Sequence, residues 1–132
     1  MCCELAVMGL GDIRKSDKGL AIYLIEKLEQ IFSNSKQIMF INAGKNGRDL
    51  YELLQSINIK KVIVIDTTLD IIDAGEINYL EMKTDGDAVE TLLLLTIGIQ
   101  NDDWGKKLSQ VIKDKFDDLV VKISNIITEF SK

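Results

Sequence analysis

The sequence predicts an α/β fold with three layers, α/β/α. Its centre is a mostly parallel twisted sheet of about five strands with one antiparallel edge strand. Three observations carry this. Short apolar runs alternate along the chain with segments of helical periodicity, the pattern of a sheet covered by helices. Lys61-Val-Ile-Val-Ile65 is continuous and β-branched, as expected of a central strand buried on both faces. Glu76-Ile-Asn-Tyr-Leu-Glu-Met82 alternates instead, as expected of a half-exposed edge.

In order, Glu4 to Met8 reads as a short buried strand and Leu20 to Phe32 as the first helix. That helix places Leu20, Ala21, Leu24, Ile25, Leu28, Ile31 and Phe32 on one face. Between them lies a loop punctuated by Gly9, Gly11 and Gly19. Ser33 to Ser35 is a turn, Gln37 to Ile41 the second strand, and Asn42 to Gly47 a second glycine-bearing loop. Asn46 is a good N-cap, with Asp49 three residues on, for a second helix reaching about Ser56 with Leu50, Leu53 and Leu54 inward. The Lys61 strand ends on Asp66-Thr-Thr68, Gly75 opens the alternating strand, and Thr84 to Asp87 turns the chain. Thr91 to Ile97 reads as another fully buried strand, and Gly98 to Gly105 as a loop. The last helix, from about Ser109 to Phe130, goes with the stripe Leu108, Val111, Ile112, Phe116, Leu119, Val120, Ile123, Ile126, Ile127 and Phe130. Such a stripe is core packing. The chain of 132 residues is expected to be one domain, 1–132, with the loops 9–19, 42–47, 66–75 and 98–105 gathered at one side, beyond the strand ends.

Composition removes several function classes. Acidic residues outnumber basic ones 21 to 16, a net charge of −5, and no basic stripe with interleaved aromatics appears, so a nucleic-acid surface is not expected. No run approaches the ~20 apolar residues of a membrane span. Glu4 interrupts the start, so no secretory leader is expected. Cys2 and Cys3 are adjacent and without a second pair, which fits reduced thiols and a cytoplasmic location. Histidine is absent, which excludes Ser-His-Asp and Cys-His chemistry and the commonest zinc and nickel ligand. A dinucleotide fingerprint fails because Arg14 stands at its third glycine.

The first loop concentrates charge: Asp12, Arg14, Lys15, Asp17 and Lys18 lie within seven residues. One reading is turn chemistry, with Ser16 or Asp17 capping the first helix. The other is a ligand site beside a strand end. The residues here resemble the opening of the nickel-iron hydrogenase maturation endopeptidases, Gly-x-Gly-Asn, four residues, then Asp-Asp/Glu-Gly-x-Gly. They stand as Gly9-Leu-Gly11-Asp12, Ile13 to Ser16, and Asp17-Lys18-Gly19-Leu20-Ala21. The likeness continues in order through Asn42-Ala43-Gly44-Lys45-Asn46-Gly47, Val62 to Thr67, Ala74-Gly75-Glu76 and Gly98-Ile99-Gln100, with Trp104-Gly105 and Leu108-Ser109 following. The chain looks like a divergent, shortened member.

The resemblance implies an enzyme that removes a C-terminal peptide from the hydrogenase large-subunit precursor once nickel is inserted. That metal belongs to the substrate, and no tightly bound cofactor is implied. Asp17 and Asp66 stand at catalytic positions; Gly9, Gly11, Asp12, Lys18, Asn42 and Gly44 stand in the substrate-facing loops. Asp66 keeps the family's metal-contacting aspartate. The second acidic residue of the first loop is replaced by Lys18, and the family's histidine has no counterpart. Two readings follow: an endopeptidase with an altered acidic cluster, or a catalytically degenerate member that binds its partner without cleaving it. In the second, the Lys18 ammonium fills the metal's place, paired with Asp66, Asp12 or Asp17.

Overall fold

The computed structural model describes residues 4–44, 52, 59–83 and 89–132. Five strands form one sheet: β1 (Leu5–Leu10), β2 (Ile38–Gly44), β3 (Lys61–Thr68), β4 (Ile77–Lys83) and β5 (Thr91–Gly98), ordered β2-β1-β3-β5-β4. All pairs are parallel except β4 with β5, so the alternating segment is the antiparallel edge and the β-branched run is the middle strand. Two helices are described in full, α1 (Leu20–Ile31) and α2 (Gln110–Phe130).

α1 and α2 cover one face of the sheet, where Leu20, Leu24 and Leu28 meet Val7, Ile63, Ile65, Leu95, Ile112, Leu119 and Ile123 in one cluster. Burying each such side chain stabilises the fold by about 1.5–3 kcal/mol before chain entropy is counted. The opposite face holds Ala6, Met8, Val62 and Val64 with Ile59 and Val89. The helix expected over Asn46 to Ser56, with Leu50, Leu53 and Leu54, lies outside the described residues except for Glu52, which is helical and exposed. The Thr84 to Asp87 turn and Cys2 and Cys3 also lie outside them.

Several features differ from expectation. β2 continues through Asn42, Ala43 and Gly44, because Gly9 pairs with Asn42 and Leu10 with Gly44, so the second loop starts later. β3 runs on through Asp66 to Thr68, drawn out by pairing with Thr96, Ile97 and Gly98 of β5. β5 is not buried throughout: Leu92, Leu94 and Thr96 are only half-buried, since they face away from the α1–α2 layer. Among the described residues, no helix is long and apolar enough to cross a membrane.

The strand order creates the site. From β1 the chain steps by α1 to β2 on one side, while β3 lies on the other. The carboxyl ends of β1 and β3 therefore flank the point where the winding reverses, where open α/β sheets leave a crevice.

Candidate functional site

A cavity of about 420 Å³ opens in that crevice, lined by Leu10, Gly11, Asp12, Lys15, Lys18, Asp66 and Thr67. Four expected site residues, Gly11, Asp12, Lys18 and Asp66, are thus brought together. Gly9 sits one step behind, inside the sheet against α1. A side chain there would meet Ile25 Cγ1 at 2.6 Å and the Ala21 carbonyl at 2.9 Å, so glycine lets the helix lie against the strand. Asn42 and Gly44 flank the opening: Gly11 N–H donates to the Gly44 carbonyl (2.8 Å), and Asn42 Oδ1 accepts from Gly44 N–H (2.9 Å).

The first loop closes on itself, with Asp12 N–H donating to the Lys18 carbonyl (3.0 Å). Asp12 is gripped by Arg14 from three sides, through its backbone N–H (3.0 Å), Nε (3.0 Å) and Nη2 (3.1 Å). The hydrogen bond first, and then the opposite charge, raise the exposed guanidinium above its usual range. On β3, Asp66 Oδ1 accepts from the following Thr67 N–H (2.8 Å), which fixes the carboxylate at the cavity wall.

Asp17 takes a different place. Its side chain is fully buried and accepts from Ser109 N–H (2.7 Å), Ser109 Oγ–H (2.6 Å), Gln100 N–H (3.1 Å) and Asn101 N–H (3.1 Å). The expected cap on α1 is therefore absent: Gly19 begins that helix with no side-chain bond, and Asp17 instead holds Ser109, which begins α2. The cause is a 3-10 turn at Ser16–Gly19 that turns Asp17 inward. Ser16 enters it with φ 49, a region a non-glycine residue avoids. It is held there by Ser16 N–H to the Gly105 carbonyl (2.6 Å) and Ser16 Oγ–H to the Lys107 carbonyl (2.8 Å). Sequence reasoning singled out neither Lys15 nor Thr67 for the cavity, nor Ser109 as a partner of Asp17; the run of charge in the first loop was the one available signal for Lys15.

Lys18 lines the cavity, but among the described residues no ion pair joins it to Asp12, Asp17 or Asp66. The ion-paired ammonium expected in the metal's place is not observed, because Arg14 already holds Asp12 and Asp17 faces inward. Lys18→Met should accordingly change stability by no more than about 0.5 kcal/mol in thermal melts; a loss above about 1 kcal/mol would show a buried pair. No group of three or more His, Cys, Asp or Glu side chains placed to hold a metal occurs among the described residues.

Strands ending in a charged crevice, bounded by a folded-back loop, define an open α/β domain with its candidate site at the strand ends. The family model for HycI hydrogenase maturation proteases matches residues 22–85. A Methanocaldococcus jannaschii protein provisionally assigned to the hydrogenase maturation proteases is 31% identical over 86 residues, 61% of this chain and 51% of that protein. The chain thus spans about half the length of that relative. The hydrogenase maturating endopeptidase HybD of Escherichia coli superposes with a TM-score of 0.76 at 14% identity, covering 96% of this chain and 93% of that one. The [NiFe] hydrogenase maturation protease HycI of Thermococcus kodakarensis gives 0.75 at 16%, covering 95% and 92%. An Escherichia coli endopeptidase solved in solution gives 0.79 at 15%, covering 96% and 93%. At such identities the structures speak for the fold. By sequence the chain is similar to the hydrogenase maturation protease family through residues 22–85, and it shares the fold of that family's solved structures over nearly its whole length. The matched stretch contains Asn42, Gly44 and Asp66 but begins after the Gly9 to Ala21 motif.

Proposed function

We propose that this chain is a maturation endopeptidase that hydrolyses one peptide bond of a nickel-loaded hydrogenase large-subunit precursor and releases its C-terminal peptide, in the cytoplasm. The observation that carries the reading is Asp66, held by Thr67 N–H at the end of β3 and lining the crevice opposite the Gly11 to Lys18 loop. With one oxygen tied to the backbone, its carboxylate has lone pairs left to offer the nickel that arrives with the substrate. That metal, as a Lewis acid, polarises the scissile carbonyl. A water oxygen then bonds to the carbonyl carbon, the C–N bond breaks, and a proton passes to the departing amine. Asp17 serves in this reading as a positioning residue that fixes the loop around the crevice, and Gly9, Gly11, Asn42 and Gly44 shape its wall.

A second reading, a partner-binding protein that does not cut, draws on Lys18 standing where the family's resemblance places an acidic residue. One experiment separates them. The protein is incubated with a nickel-loaded large-subunit precursor, and the shortened product is measured by mass spectrometry. Cleavage is expected, falling at least about tenfold in Asp66→Asn, as when a metal-directed group is lost. Binding of the precursor with no shortened product would instead support the second reading.

A further inference from the structure

Resting on the peptide-cleaving reading above, we infer that the β1/β3 crevice contains a subsite for a carboxylate of the substrate peptide, with Lys15 and Lys18 as its counter-charges and the Trp104 ring, packed on Lys15, beside it. In a chain of net charge −5, this cavity runs the other way. Asp12 is paired with Arg14 in a two-pronged contact (3.0 and 3.1 Å), and the other charged residues among those described that line the cavity are Lys15, Lys18 and Asp66. Among the described residues, neither lysine has an ion-pair partner.

Trp104 gives the second observation. It is 72% exposed, yet two cations hold its ring: Lys15 Nζ stands 5.1 Å from the ring centre and the Arg14 guanidinium carbon 5.7 Å. A large aromatic face fixed in water beside a cationic cavity is suited to being covered by a chain that enters it. The aromatic face selects the ligand. The lysines attract any anion, but only an anion carried on a chain can also cover the Trp104 ring, which points to a peptide carboxylate and not to free phosphate. Lysine ammonium groups are point charges without a planar fork, so a side-chain and a C-terminal carboxylate both satisfy them.

Trp104 is the only tryptophan of the chain and its ring lies against Lys15, so its fluorescence responds to a change at that side chain. The full chain is titrated with N-acetyl-trialanine as the free acid, with its C-terminal amide, with N-acetyl-Ala-Glu-Ala-amide, and with inorganic phosphate. Both carboxylate peptides are expected to give saturable changes, the tighter one naming the source, with the trialanine amide at least about tenfold weaker, the loss of one desolvated charge contact. Lys15→Gln with Lys18→Gln should abolish the response, and the Arg pair at both positions should restore it. Backbone amide shifts in the parent protein, expected across Gly11 to Lys18 and at Asp66, give the same answer should the glutamine variant not fold. Equal affinity for acid and amide, phosphate binding as tight as the carboxylates, or no saturable response would each overturn the subsite. These readouts require no cleavage, so an inactive enzyme that still binds carboxylate would sink the peptidase reading alone. Cleavage without carboxylate binding would sink the subsite alone.

Discussion

Asp17→Ala should destabilise the protein by roughly 3–5 kcal/mol, the largest loss expected from any substitution in the first loop. The side chain is 0% exposed and accepts four hydrogen bonds, three from backbone N–H groups and one from the Ser109 hydroxyl. Removing the carboxylate leaves those donors buried without acceptors, at about 1–3 kcal/mol each, and water entering the space recovers only part. Asp17→Asn tests the geometry more finely. Oδ2 accepts three of the bonds and Oδ1 only the one from Ser109 N–H at 2.7 Å. An asparagine that keeps its oxygen on the three-bond side turns an NH₂ toward that N–H, so about half the alanine loss is expected. Ser109→Ala removes the hydroxyl bond alone and should cost about 1 kcal/mol. Urea unfolding measures all three as shifts in midpoint at unchanged slope. An alanine variant within about 1 kcal/mol of the parent would mean that the loop is held by other contacts.

Much of the fold was legible because local pattern and tertiary burial agree. The β-branched run at Lys61 is buried from both sides and is the middle strand, and the alternating run before Met82 is the exposed edge. Leu20 marks the start of α1, as its periodicity indicates. Strand ends were less legible, since Asn42 to Gly44 and Asp66 to Thr68 carry turn chemistry but are pulled into the sheet by their neighbours' hydrogen bonds. The meeting of Gly11, Asp12, Lys18 and Asp66 followed from their positions past parallel strand ends, with no need to know any side-chain direction. Directions were what the sequence withheld. Asp17 and Lys18 are adjacent, and a 3-10 turn sends one into the interior and the other to the cavity. Nothing in a linear pattern records that Asp17 would find partners more than eighty residues away at Gln100, Asn101 and Ser109.

Gly11→Ala should lower stability by about 3 kcal/mol and also abolish the binding and cleavage read at the crevice. Glycine is required here by proximity, since a Cβ at this position would run into the Lys18 carbonyl oxygen. That oxygen is not free to move aside: it accepts Asp12 N–H at 3.0 Å, the bond that closes the loop, and Lys18 N–H is itself tied to the Lys15 carbonyl at 3.0 Å. Relief therefore opens the loop and carries Asp12, Lys15 and Lys18 away from Asp66 together. Gly44→Ala supplies the comparison. Among the described residues its Cβ would meet nothing within 4 Å, but its φ of +69 strains an alanine, a cost of about 1 kcal/mol. The expected order is a large loss at Gly11 with a disrupted crevice, and a small one at Gly44 with the crevice intact. Urea midpoints and the Trp104 fluorescence titration read both effects in the same samples. Equal losses at the two glycines, with carboxylate binding retained in each, would mean that the Lys18 carbonyl yields readily and that the closed loop does not set the geometry of the site.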